Sequence, residues 1–244
     1  MELIASNLKN KNPGLIINFI LDQSGSMHAT TTIDAFNKYI NNLKKDKNAE
    51  RKNTVFMTLT YFETKPQVIY VCKEISEVEE LTTKTYRPGG GTALNDAIGI
   101  TTTECEKAIA EWETKPSILT VILTDGEENS SKEYGGFEGQ KKIAELIERK
   151  EKEGNWTFVF LSEKPQVAAQ EQARSLGLCS ANVESFEGGM LDSIDNLSSA
   201  TCCFAKKACE SNIAYSTNAF FDFANKDLFN ENATNKKGTK NDSK

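Results

Sequence analysis

The chain has 244 residues, 38% of them apolar, and a formal net charge of −6. That size and apolar share suit one α/β domain with a sizeable core, and the acidic balance speaks against a nucleic-acid binder, which would carry a basic stripe. No stretch approaches the roughly 20 apolar residues of a membrane helix, and Met1–Gly14 lacks the basic start and apolar run of a secretory signal, so a cytoplasmic protein without membrane attachment is expected.

Leu15–Leu21 is an apolar run broken only by Asn18, as in a strand covered on both faces. Ile33, Phe36, Ile40 and Leu43 then recur at helical spacing, with Thr31 or Thr32 as the expected cap and Asp34 near the positive end. Thr54–Phe62 and Gln67–Cys72 read as two strands joined by the turn Glu63–Pro66, which makes one sheet edge antiparallel. Ile75–Leu81 is a short helix candidate, and Arg87-Pro88-Gly89-Gly90-Gly91 must be a loop. A helical stripe follows from Leu94 to Trp112, then a buried strand at Ser117–Leu123, a charged helix at Lys141–Glu153 ended by Gly154, and a strand at Trp156–Leu161. A helix at Val167–Leu176, a short strand at Asn182–Phe186 and a helix carrying Met190, Leu191, Ile194, Leu197 and Thr201 complete the pattern.

Strands alternating with helices predict a doubly wound, mostly parallel six-stranded sheet with one antiparallel edge strand and helices on both faces. The expected organisation is an N-terminal segment over 1–12, the α/β domain over 13–205, an aromatic extension over 206–230 and a disordered polar tail over 231–244. Phe220, Phe221, Phe223 and Phe229 are expected to pack on the domain. The six cysteines form no C-x-x-C pair and read as buried or free thiols.

Asp22-Gln23-Ser24-Gly25-Ser26 directly follows one buried strand, and Asp125-Gly126 directly follows another. Both carboxylates therefore sit at carboxyl ends of strands, where ligand sites of open α/β sheets form. The glycine loop ending in Thr92 can bring a hydroxyl into the same crevice. Asp22, Ser24, Ser26, Thr92 and Asp125 offer oxygens only, which suits a hard cation: Mg²⁺, with Mn²⁺ or Ca²⁺ possible. With a single histidine, His28, and no thiol cluster, zinc and copper are disfavoured. The D-x-S-x-S spacing alone is common, and each serine can instead cap the following helix.

Together the motifs go further. FILDQSGSM, GGGTALNDAI and VILTDGEENSS resemble, in order, the D-x-S-x-S, G-G-T-x-L-x-D-A-I and T-D-G motifs of von Willebrand factor A (VWA) domains of the intracellular prokaryotic or viral kind, over roughly residues 13 to 205. The resemblance implies a complete metal-ion-dependent adhesion site (MIDAS). Ser24, Ser26 and Thr92 would bind the metal through hydroxyls, and Asp22 and Asp125 directly or through water. It also implies that the first and fourth strands are neighbours, and that the metal accepts an acidic side chain of a partner protein. Gln23, Met27, His28 and Gly91 are expected on the rim, with Glu127 and Glu128 either tuning cation and partner binding or forming a solvated acidic loop.

The site is thus expected to bind rather than catalyse. An alternative places the same site in a regulatory subunit of an ATPase, stress or phage-related complex. An Mg²⁺-dependent phosphoryl-transfer enzyme of the haloacid dehalogenase type is disfavoured, because its motif needs a second aspartate where Ser24 stands. P-loop, G-x-S-x-G and H-E-x-x-H patterns are absent.

Overall fold

The computed structural model describes residues 14–46, 55–210 and 214–221. Six strands form one sheet: β1 (Leu15–Asp22), β2 (Val55–Phe62), β3 (Pro66–Glu74), β4 (Ser117–Thr124), β5 (Trp156–Ser162) and β6 (Val183–Ser185). Their order is β3-β2-β1-β4-β5-β6; β2 and β3 pair antiparallel and the other four pairings are parallel. Among the described residues, the helices that flank the sheet are α1 (Ala29–Lys45), α2 (Leu94–Ile109), α3 (Gly136–Lys152), α4 (Gln166–Ser175) and α5 (Met190–Glu210). This is the α/β architecture expected from the alternation of strands and helices.

The two-residue period of a strand divides β1 between two cores. Leu15, Ile17, Phe19 and Leu21 enter the core shared with α1 and α5, while Ile16 and Ile20 enter the one shared with α2, α3 and α4. Every residue of β1, β2, β4 and β5 is buried, so near-continuous apolar runs mark them. The chain leaves β1 toward β2 and later returns to its other side as β4, so the strand order reverses between β1 and β4. A crevice opens at their carboxyl ends.

The ends of several elements differ from expectation. His28, not Thr31 or Thr32, precedes α1 as its N-cap, and no side chain caps it; the Thr32 hydroxyl donates to the His28 carbonyl from inside the helix, 3.0 Å away. Asp34 lies beyond the first turn, which holds no acidic residue. The expected helix over 75–81 is only a 3₁₀ turn at Ile75–Glu77; Ile75, Val78 and Leu81 are buried three apart, but Val78 is already extended. Helix α3 starts five residues earlier than expected, because Gly135, Gly136 and Gly139 hide its first turns. Helix α5 runs on to Glu210, since Phe204, Ala205 and Ala208 continue its buried stripe.

Beyond α5, Phe220 is buried against Phe204, with ring centroids 5.9 Å apart, and meets Phe221 edge-on at 5.2 Å. The backbone amides of Tyr215, Thr217 and Phe220 donate to Ser117, Thr157 and Asn182, which lash residues 214–221 to the amino ends of the sheet, opposite the crevice. Phe223, Phe229, Thr54, the 1–12 segment and the 231–244 tail lie outside the described residues. Among the described residues, no helix is long and apolar enough to cross a membrane.

Candidate metal centre

Asp22 ends β1 and is fully buried. Its Oδ1 accepts the Ser24 backbone amide at 2.7 Å, and its Oδ2 accepts the Thr124 hydroxyl of the adjoining strand at 2.5 Å. The Tyr86 hydroxyl, also buried, donates to the Asp22 carbonyl at 2.5 Å. The strand end is thereby fixed from both sides. Past it, the chain turns so that Ser24 Oγ and Ser26 Oγ lie 3.2 Å apart, and the Ser26 hydroxyl donates to Asp125 Oδ1 at 2.7 Å. Thr92 is buried, and a Cβ placed on Gly126 would lie 3.2 Å from Thr92 Oγ1 and 3.8 Å from Asp22 Oδ2, so those two oxygens flank one point. All five sequence-predicted ligand residues therefore meet in one crevice at the switch point.

The loop that presents Thr92 is held by backbone bonds. Gly89 donates to the Gln23 carbonyl at 2.8 Å, Gly25 to the Gly90 carbonyl at 3.3 Å, and Ala93 to the Glu63 carbonyl at 2.7 Å. Gly90 has φ +67°, a region that disfavours side chains. A Cβ on Gly91 would fall 2.1 Å from Ser130 Oγ and 2.9 Å from Asn129 Oδ1, so glycine lets the two loops touch with those side chains in place.

The rim residues divide. Gln23 is half-buried and Ser26 and His28 are exposed, but Met27 is buried in the α1 core. Glu127 is exposed and ion-paired with Lys164, which holds its carboxyl below the ordinary value by a hydrogen bond and by its charge. Glu128 turns inward instead of joining a solvated loop. Its Oε2 accepts the Asn95 amide at 2.8 Å and the Ser131 hydroxyl at 2.7 Å, and its Oε1 accepts the Ser130 and Ser131 amides.

Asp96 works in the same way from α2, accepting the amides of Lys132, Glu133 and Tyr134. Asn129 Oδ1 accepts the Thr92 amide at 2.8 Å, and Gln172 of α4 donates to the Gly126 carbonyl at 2.9 Å. Sequence reasoning overlooked these braces together with Thr124 and Tyr86. Thr124, Asn129 and Asp96 stood inside the quoted motif segments; Gln172 and Tyr86 did not. Replacing Glu128 by alanine leaves the Asn95 and Ser131 amides short of an acceptor, while the Ser130 amide keeps the Thr92 carbonyl at 3.3 Å. The expected cost is about 1–3 kcal/mol in urea unfolding, with a loss of about 10–100-fold in Mn²⁺ affinity by titration. Unchanged affinity would show that the loop does not set the site.

Burial drives the Asp22 carboxyl above its ordinary value of 3.8; the Thr124 hydroxyl and the Ser24 amide pull it back, and the Asp125 charge adds to the rise. No lysine, arginine or histidine is bonded to either carboxylate among the described residues. A desolvated anion beside a second anion, with three hydroxyls facing them, is a set that a hard divalent cation completes: the donors are all oxygens and the two charges offset 2+. Among the described residues no three histidine, cysteine or acidic side chains group together, so the candidate centre rests on its hydroxyls as well as its two carboxylates.

The raised value has a testable sign. In metal-free protein the folded chain takes up the Asp22 proton before the unfolded chain does, so the contribution of Asp22 to stability grows as pH falls through the raised value toward 3.8. Wild type is expected to gain on Asp22→Asn over that window in urea melts with EDTA. A flat difference would show that the carboxyl is not desolvated.

Two clefts adjoin the ensemble. One of about 640 Å³ lies between α3, α4 and the loop after β4, with Lys164 and Glu127 in its wall and the 78% exposed Phe137 at its lip. The other, about 270 Å³, is bounded by Met27, His28, Thr31, Asp125 and the turn before α5.

No known family profile matches the sequence, and no curated protein does. Solved structures do match the fold. The ArnB paralog VWA2 from Sulfolobus acidocaldarius aligns at a TM-score of 0.50 and 13% identity over 77% of this chain and 45% of its own. The manganese-loaded TRAP protein of Plasmodium vivax aligns at 0.51 and 14%, over 76% and 72%. The PilB minor pilin from Streptococcus sanguinis aligns at 0.53 and 12%, over 79% and 62%. The chain thus spans less than half of the first structure and under two thirds of the third. At these identities the likeness is one of fold, and that fold is the VWA type.

Proposed function

We propose that this chain is a divalent-metal-dependent protein-binding module whose metal is held by Asp22, Ser24, Ser26, Thr92 and Asp125. The observation that carries the reading is the convergence of a fully buried Asp22, which has no basic partner among the described residues, with Asp125 and three hydroxyls at the sheet's switch point. Ser24, Ser26 and Thr92 present neutral oxygens, while Asp22 and Asp125 supply the charge. When bound, a divalent cation here would offer an electrophilic position to an acidic side chain of a partner. The TRAP neighbour is manganese-loaded, which supports a divalent metal in a protein of this fold. Mg²⁺ is the proposed ion on the hardness of the donors, with Mn²⁺ or Ca²⁺ as substitutes.

The reading keeps the site non-catalytic. Both carboxylates are engaged by hydroxyls, and His28, the sole imidazole, stands at the α1 start. We place the protein in the cytoplasm, acting on a protein and not on nucleic acid or membrane.

A random twelve-residue peptide library displayed on phage, selected on the immobilised full chain in Mn²⁺ and eluted with EDTA, tests this. The expected pool carries an aspartate or glutamate whose conversion to the amide abolishes binding. A pool that survives EDTA, or tolerates the amide, contradicts the proposal.

A further inference from the structure

The smaller cleft shares Asp125 with the metal centre, so it borders the place where a partner carboxylate would meet the metal. Its floor is apolar: Met27 and Phe186 are buried, and Met190 packs beside them, half-buried. Methionine side chains adapt to varied aliphatic shapes. Its lip is acidic. Glu163 follows β5 and Glu187 precedes the glycine turn into α5; both are exposed, and neither carboxylate has an ion-pair or hydrogen-bond partner among the described residues. Lys164, next in sequence, is turned away to Glu127 in the other cleft.

An apolar floor under two unpaired carboxylates fits one kind of side chain. It must have a long aliphatic stem and a cationic head that reaches back to solvent. A neutral apolar group would leave the carboxylates unpaired, and an acidic group would be repelled. We propose that the cleft formed by Met27, Phe186, Met190, Glu163 and Glu187 selects a lysine or arginine of the partner, placed a short, fixed distance from the acidic residue that meets the metal. The proposal rests on the metal-dependent reading of the neighbouring centre and adds to it the charge pattern of the partner: acidic at the metal, basic at the cleft. Both signs in one short segment would also explain how a site with net negative surroundings discriminates against uniformly acidic chains.

The same selection, repeated on a Glu163→Gln, Glu187→Gln double variant, separates the two readings. Both substitutions are exposed and isosteric, and Mn²⁺ titration checks that the centre still loads. On wild type, the EDTA-eluted peptides are expected to share a lysine or arginine at a constant offset from their acidic residue. Exchanging it for glutamine is expected to weaken synthetic peptides about tenfold, the equivalent of about 1.4 kcal/mol, and by less than about twofold on the double variant. The variant's own pool is expected to keep the acidic residue and lose the basic one.

Acidic peptides without a fixed basic position, or a basic preference that persists in the double variant, would overturn the cleft proposal and leave the metal reading standing. Failure to recover any EDTA-eluted pool from wild type would instead strike the metal reading, and this proposal with it.

Discussion

Asp22→Asn is expected to lower Mn²⁺ affinity by at least about 100-fold, the upper end of what even an indirect ligand contributes. The substitution removes one of the two charges that offset the cation while keeping the shape of a side chain packed at 0% exposure. Its effect on the metal-free fold has two opposed parts. The amide relieves a desolvated charge, but it can no longer accept from both the Ser24 amide and the Thr124 hydroxyl. The contrast therefore lies in the response to metal. At a concentration 100 times its Kd, a ligand that binds only the folded state stabilises it by about 2.7 kcal/mol, which for a chain of this size raises Tm by about 5–10 °C. Wild type is expected to show that shift in thermal melts with Mn²⁺ and Asp22→Asn, at the same concentration, no more than about 1–2 °C. An equal shift in both would place the ion elsewhere.

Phe19→Ala is expected to cost about 3–5 kcal/mol of unfolding free energy, the range for removing a buried phenylalanine and leaving its cavity. Phe19 is fully buried on β1, three residues before Asp22; its ring meets Phe36 edge-on at 5.3 Å and Tyr39 at 5.2 Å. Those contacts pin α1 to the strand that carries the first carboxylate. Urea midpoints should fall with the denaturant slope unchanged. A cost below about 1.5 kcal/mol, the range of tolerated swaps, would mean that α1 repacks freely and that β1 is not held as described.

The parts of this molecule that were legible in its sequence are those governed by periodicity and by position along a strand. Leu15–Asp22 and Ser117–Thr124 are buried throughout, so their apolar runs stand out, and a carboxylate at the end of each run had to lie at the carboxyl end of the sheet. Glycines at 89–91 announced a loop without revealing what it touches. The illegible parts are contacts between loops. Glu128 and Glu127 are adjacent and chemically alike, yet one is folded onto the Asn95, Ser130 and Ser131 amides and the other is paired with Lys164. That difference arises from tertiary contact, where the loop after β4 meets the Gly91 loop and the start of α2. Helix ends were misjudged where chemistry is ambiguous: threonines near α1 suggested a cap that is not made, and glycines concealed the start of α3.

The most direct test of the central claim is anomalous scattering from a crystal grown with Mn²⁺. One strong peak within about 2–3 Å of the Ser24, Ser26 and Thr92 hydroxyl oxygens, with Asp22 and Asp125 bonded directly or through water, is the result expected for an octahedral hard cation. A peak at any other place, or none at saturating Mn²⁺ with the crevice intact, would contradict it.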